Sequence, residues 1–161
     1  MVARRPLEPA AAIVARVTVE RMDHVGIVVD DLAAATAFFD EPGFELQSEG
    51  EVDGAWVDRV VGLEDVRMQY AMVGVADGHA RLELIRFPAP PTRSGDPDAP
   101  AKTRGIRHVA FVVRDLDAVL ARVQARGAEL VGEVERYGNV FRLCYVRGPE
   151  GIIVELAERL G

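Results

Sequence analysis

Two histidines open two nearly identical stretches of the chain, and histidine serves proteins both as a metal ligand and as an acid–base group. His24 begins "HVGIVVDDLAAATAFF" and His108 begins "HVAFVVRDLDAVLARV". The chain has three histidines in all, so two of them occupy equivalent positions of an internal repeat. An equivalent position in both copies indicates a common role, and coordination of one metal ion is a role that two such side chains can share.

Each copy of the repeat also places one carboxylate inside an apolar strand. Glu83 lies in "RLELIRF" and Glu155 lies in "IIVELAE". A lone carboxylate is costly to bury unless a partner compensates its charge. Two histidines and two glutamates at equivalent positions therefore predict one divalent metal ion, of Zn, Ni, Co, Mn or Fe, bound between the copies. The alternative is that arginines pair with the glutamates while the histidines are ordinary structural residues.

The residues next to these histidines leave room beside each imidazole ring. Side chains alternate between the two faces of a strand. The residue that follows His24 on its own face is Gly26, and the residue that follows His108 is Ala110. Both are very small, which favours an open site over a packed wall.

The elements that must position these groups follow from the same repeat. The β-branched run after each histidine predicts a strand, the aspartates Asp31 and Asp115 predict helix N-caps, and three more strands follow each helix. We expect an α+β fold in which two paired βαβββ modules form a cleft between curved mixed sheets. The predicted organisation is one domain over residues 21–158, preceded by an extension and divided as follows: 1–20 N-terminal extension, 21–87 first module, 88–104 proline-rich linker, 105–158 second module.

Composition excludes several classes of protein. The net charge of −7 and a pI near 5.0 argue against nucleic-acid binding, which usually requires a basic face. No apolar run is long enough to span a bilayer, so we expect no membrane partner. The single cysteine, Cys144, cannot form a disulfide within the chain, which favours a cytoplasmic setting. We expect Cys144 to be a small buried residue.

Four motifs together resemble those of the vicinal oxygen chelate superfamily, which includes glyoxalase I, methylmalonyl-CoA epimerase, extradiol dioxygenases, and fosfomycin and bleomycin resistance proteins. They are "DHVGIVVDDL", "ARLELI", "RHVAFVVRDL" and "GPEGIIVELAE". The resemblance implies a metal site with four protein ligands, similar to that of bacterial-type glyoxalase I: His24, Glu83, His108 and Glu155. It implies a metal-dependent lyase or isomerase of the glyoxalase I or epimerase type, which acts on a small substrate with vicinal oxygens through an enediolate or enolate. Glu155 is then the expected catalytic base, with Glu83 as the second candidate.

Two other functions remain open at this point. An Fe²⁺ dioxygenase of the extradiol type would use His24, His108 and Glu155 as ligands. A metal-free protein that binds a small molecule, such as an antibiotic, would instead need an apolar cleft, and four aromatic residues could line it: Trp56, Tyr70, Tyr137 and Phe141.

The substrate and the partner are predicted only in outline. The residues that we expect to contact a small-molecule substrate are Trp56, Arg59, Tyr137 and Phe141. The arginines considered for an anionic substrate are Arg59, Arg86, Arg136 and Arg142. Members of the superfamily often form homodimers, and in some of them two chains complete the cleft. The sequence leaves open whether the cleft here lies within one chain or between two.

Overall fold

The computed structural model describes residues 19–161, so the predicted extension over residues 1–20 lies outside the described residues except for its last two positions. The first module contains a four-stranded sheet in the order β1-β4-β3-β2, in which β1 is parallel to β4 and the other pairs are antiparallel. Its elements are β1 (Val25–Val28), α1 (Leu32–Asp40), β2 (Glu45–Asp53), α2 (Ala55–Val61), β3 (Arg67–Gly74) and β4 (Arg81–Ala89).

The second module repeats this order with a five-stranded sheet. The strands run β5-β9-β8-β6, β7 pairs with β8 along the same edge as β6, and β5 is parallel to β9. Its elements are β5 (His108–Val113), α3 (Leu116–Ala125), β6 (Glu129–Leu130), β7 (Glu135–Tyr137), β8 (Phe141–Arg147), a 3₁₀ turn (Pro149–Gly151) and β9 (Ile153–Arg159). The predicted α+β class with two βαβββ modules and mixed sheets is confirmed.

Both crossover helices begin where the sequence places an aspartate. The side chain of Asp31 accepts a hydrogen bond from the backbone N–H of Ala34 at 2.9 Å, and Asp115 accepts one from Ala118 at the same distance. Each bond satisfies one of the N–H groups that a first helical turn leaves without a partner. The identical caps show that the two modules share their local architecture as well as their strand order.

The core is one continuous hydrophobic cluster that draws on both modules. Phe38 and Phe39 of α1 are almost fully buried, as are Leu84 of β4 and Leu156 of β9. Cys144 is also buried within this cluster, as expected, and its burial raises the pKa of the thiol. The two modules therefore pack through their helix-covered faces, and an ion pair between Glu41 and Arg126 at 2.8 Å joins them at the surface.

Two segments differ from the sequence expectations in detail. The stretch around Trp56 lies outside the predicted order of one helix and three further strands, and it folds into α2. This helix ends at Gly62, because that residue adopts a left-handed φ of 70° and its N–H donates to the carbonyl of Asp58 at 2.8 Å. The first of the three strands predicted after the second helix is broken, because β6 and β7 pair with β8 in two separate pieces. None of the helices over residues 19–161 combines the length and apolarity that a membrane crossing requires.

The proline-rich linker is docked onto the modules. β4 continues to Ala89, two residues beyond the predicted end of the first module. Thr92 donates a hydrogen bond to the side chain of Asp30 at 2.7 Å, whereas Arg147 donates to the carbonyl of Pro97 at 2.8 Å. Because Asp30 belongs to the first module and Arg147 to the second, the linker forms hydrogen bonds with both modules.

The second face of each sheet is uncovered in the single chain. His24, Gly26 and Val28 share this face in the first module, where Val28 is 49% exposed. Val112 lies on the corresponding face of β5 and is 68% exposed. The predicted alternation of side chains is therefore observed, but both apolar open faces point to solvent.

Candidate metal centre

The first of two equivalent donor pairs lies on the open face of the first module. His24 immediately precedes β1, and Glu83 lies in β4, which runs parallel beside it with Gly26 opposite Glu83. Nε2 of His24 lies 3.3 Å from Oε2 of Glu83. Gly26 has no side chain, so no side chain of β1 projects beside this pair on the open face.

The second donor pair repeats this geometry on the open face of the second module. His108 is the first residue of β5, and Ala110 lies opposite Glu155 of β9. Nε2 of His108 lies 3.4 Å from Oε2 of Glu155. The two carboxylate side chains are equally exposed, at 21%.

The donor atoms of each pair are spaced as two ligands of one ion would be. Ligands about 2.1 Å from a common metal at tetrahedral or octahedral angles lie about 3.0–3.4 Å apart. Among residues 19–161, neither Glu83 nor Glu155 forms an ion pair with arginine or lysine. Arginines therefore do not neutralise these carboxylates in the described chain. The four residues fit a divalent metal ion.

Each pair supplies only half of the four predicted ligands. Within the described part of the chain, no three histidine, cysteine, aspartate or glutamate side chains come close enough together to hold one ion. The structure thus places His24 beside Glu83 and His108 beside Glu155, but it does not bring the two pairs together. This separation accords with the two open faces, which do not close on each other.

A carboxylate stands behind the first histidine. Oδ2 of Asp23 lies 3.0 Å from Nδ1 of His24, and the same aspartate accepts a hydrogen bond from Arg21 at 2.7 Å. The hydrogen bond from His24, with smaller contributions from Arg81 and Arg21, keeps the pKa of Asp23 below its usual value. A carboxylate at Nδ1 orients the ring so that Nε2 faces Glu83, which is how outer carboxylates orient histidine ligands of metals.

A tyrosine stands beside the second pair. Tyr145 lies opposite Glu155 in the β8–β9 ladder, and its ring centroid is 5.0 Å from that of His108. Partial burial, together with the charge of Glu155 and hydrogen bonding to its carboxylate, raises the pKa of Tyr145. The phenol therefore stays protonated and can donate to Glu155. Its counterpart in the first module is Met72, opposite Glu83, so the two half-sites are not chemically identical.

The four predicted substrate contacts lie in different places. Phe141 and Tyr137 face each other in the β7–β8 ladder, where Phe141 shares the open face with Tyr145, and Tyr137 is 71% exposed. Trp56 and Arg59 lie on α2, where Trp56 is 55% exposed. A cavity of about 380 Å³ adjoins both histidines, and none of these four residues lines it. Their role in substrate binding stays a prediction.

Two of the arginines considered for an anionic substrate already have structural partners. Arg86 donates to the carbonyl of Asp30 at 3.1 Å, and Arg142 donates to Asp117 at 2.7 Å. Three further residues that lie near the donor pairs were not predicted from the sequence: Asp23, Tyr145 and Arg81. The sequence does contain a signal for two of them, because Asp23 is adjacent to His24 and Arg81 lies two residues from Glu83. Tyr145 can be found only from the register of β8 and β9.

The sequence model of the glyoxalase/bleomycin resistance protein/dioxygenase superfamily matches residues 21–156. The chain belongs to this superfamily. It is 30% identical to YaeR of Escherichia coli over 144 residues, which cover 87% of this chain and 97% of YaeR. A crystal structure of a glyoxalase family protein from Bacillus cereus is 46% identical, with a TM-score of 0.87, and the match covers 91% of this chain and 99% of that protein.

The likeness extends to an established enzyme at the level of the fold. A glyoxalase I variant from Zea mays superimposes with a TM-score of 0.63 at 21% identity, over 84% of this chain and 44% of the maize chain. The recognised superfamily and the predicted fold are thereby confirmed. The superfamily contains many enzymes and its members commonly use a divalent metal, which agrees with the chemistry of the His–Glu pairs.

Proposed function

We propose that the protein is a metal-dependent lyase or isomerase that acts on a small substrate with vicinal oxygens. The proposed ligands of its divalent ion are His24, Glu83, His108 and Glu155. The observation that carries the proposal is the repeated His–Glu pair, with donor atoms 3.3 and 3.4 Å apart at equivalent positions of both modules. Two such pairs provide a nitrogen and oxygen ligand set that suits Zn, Ni, Co, Mn or Fe.

The complete site is proposed to form between two copies of the chain. Each copy holds two half-sites that do not meet, and each half-site lies on an exposed, partly apolar sheet face. In a two-fold homodimer, the first module of one copy can face the second module of the other, and symmetry then creates two identical sites. Val28 and Val112 would become buried in this arrangement, which removes apolar surface from water.

Different residues of the chain have different roles in the proposed proton transfer. The metal, when bound, supplies a Lewis acid that stabilises negative charge on the substrate oxygens. Glu155 takes the proton from the carbon next to the carbonyl and returns it to a neighbouring carbon or to the other face. Tyr145, which lies opposite Glu155 in the β8–β9 ladder, orients that carboxylate, and Asp23 holds the ring of His24. The open space beside Gly26 and Ala110 admits the substrate.

Glu83 distinguishes this proposal from the dioxygenase alternative. An extradiol-type site uses two histidines and one carboxylate, so Glu83 would have no function there. Its position 3.3 Å from His24 instead favours Glu83 as a fourth protein ligand of the metal and a reaction that does not consume molecular oxygen.

The experiment that tests the proposed reaction is solvent exchange. Metal-loaded protein is incubated in D₂O with small α-hydroxy ketones and aldehydes, and loss of the C–H signal is followed by NMR. We expect exchange with at least one substrate, and Glu155→Gln should slow it by about 100-fold or more. Glu49→Gln, an exposed change on β2, is the matched control and should have no effect. Retention of full exchange by Glu155→Gln, or oxygen uptake with a catechol in place of exchange, would overturn the proposal.

A further inference from the structure

One arginine shares the open face of the first module with the donor pair. Arg81 lies two residues before Glu83 on β4, so both side chains project from the same face of the sheet. Arg81 lines the cavity of about 380 Å³, together with His24, His79 and His108. The described chain therefore places a permanent positive charge beside the proposed metal site.

The position of Arg81 depends on an irregularity in the neighbouring strand. The β2–β3 register shifts between Leu46 and Ser48, so Gln47 is the extra residue of a β-bulge. Its amide oxygen accepts a hydrogen bond from Nε of Arg81 at 3.2 Å. Gly74 makes this possible, because a β-carbon there would overlap the Gln47 amide. The bulge thus aims a neutral side chain, which cannot compensate the charge, at the guanidinium.

The nearest carboxylate neutralises Arg81 only in part. Nη1 of Arg81 lies 3.4 Å from both oxygens of Asp23. The same carboxylate is closer to Arg21, at 2.7 Å, and to His24, at 3.0 Å. Within residues 19–161, Nη2 of Arg81 has no hydrogen-bond partner. A guanidinium with a free N–H group beside a cavity can bind an external carboxylate or phosphate by donating hydrogen bonds to it.

We propose that Arg81 binds an anionic group of the substrate, so that the substrate class is a small carboxylate or phosphate that also carries two vicinal oxygens. This inference rests on the proposed function, since the vicinal oxygens must be held by the metal site. The two-residue spacing on β4 separates Arg81 from Glu83 by about 6.5 Å along the strand. An anionic oxygen about five bonds from the chelating oxygens spans that distance.

Two hydroxamates test the inference, because a hydroxamate presents two vicinal oxygens to a metal. Butyrohydroxamate is neutral at its far end, whereas the monohydroxamate of succinate has nearly the same length and ends in a carboxylate. Affinities are measured by calorimetry on metal-loaded protein. We expect the anionic probe to bind about 10- to 100-fold more tightly. Arg81→Gln should abolish that preference while leaving the affinity for butyrohydroxamate unchanged, which also shows that the variant is folded.

The control and the contrary outcomes separate this inference from the proposed function. Arg67→Gln removes an arginine at the opposite end of the same sheet, where it pairs with Glu51, and should keep the preference. Equal affinities of the wild-type protein for the two probes, or an unchanged preference in Arg81→Gln, would overturn the role of Arg81 but leave the metal site intact. Failure of both probes to bind the metal-loaded protein would overturn the proposed function, and the inference with it.

Discussion

A site shared between two chains has a quantitative consequence for mixed dimers. His24→Ala removes a ligand from the first module, and His108→Ala removes one from the second. Each variant alone has a damaged ligand set at both sites of its homodimer. In a heterodimer of the two variants, the site between the two altered modules carries both substitutions, but the other site is formed by two unaltered modules.

The expected recovery follows from the symmetry of the dimer. Random mixing of equal amounts gives half heterodimers, and each of these has one intact site out of two, so about one quarter of all sites regain the four ligands. If both pairs of ligands instead came from the same chain, every chain in the mixture would still have lost one histidine. The expected recovery would then be zero.

The assay is metal content per chain after co-refolding of the two variants and removal of loosely bound ions. Each variant processed alone provides the baseline, and circular dichroism confirms that all samples are folded. Metal at about one quarter of the wild-type level in the mixture supports the shared site. A mixture that stays at the baseline of the separate variants would refute the reasoning, and so would full metal content in either variant alone.

Three further predictions concern other parts of the structure. Leu84→Ala removes a fully buried side chain and should lower the free energy of unfolding by about 2–5 kcal/mol in denaturant titrations. The hydrogen bond from Arg142 lowers the pKa of Asp117. The pair therefore stabilises the fold fully above the ordinary aspartate pKa of about 3.9, and this contribution is lost as the pH falls through the lowered pKa. In acid titrations of stability, the Asp117→Asn variant should have a lower free energy of unfolding than the wild type near neutrality, and the two values should converge in acid. Asp23→Asn should weaken metal binding by about 10- to 100-fold without unfolding the protein, because it loosens the orientation of His24; unchanged affinity in a metal competition titration would exclude that role.

The repeat made much of the fold predictable from the sequence. Apolar alternation and the N-cap aspartates indicated both crossover helices and nearly every strand, because these signals are local. The broken strand β6–β7 was not predictable, since its two pieces are defined by pairing with β8. The helix α2 was missed because its seven residues lie in a segment that has no counterpart in the second copy.

The candidate site was predictable only where the repeat itself carries it. The pairing of His24 with Glu83, and of His108 with Glu155, follows from equivalent positions in two βαβββ modules. Tyr145 reaches Glu155 through a strand register that alternation does not specify. The separation of the two half-sites depends on which sheet faces the modules bury against each other, and both faces of these strands are apolar enough for either choice.

The most direct test of the central claim is the number of divalent ions bound per chain. Protein produced without a histidine tag is incubated separately with Zn²⁺, Ni²⁺, Co²⁺, Mn²⁺ and Fe²⁺, freed of unbound ions by gel filtration, and analysed by plasma mass spectrometry. The His–Glu pairs predict about one tightly bound ion per chain for at least one metal, because a two-fold dimer forms two sites from two chains. The absence of bound metal after incubation with every one of these ions would contradict the metal centre.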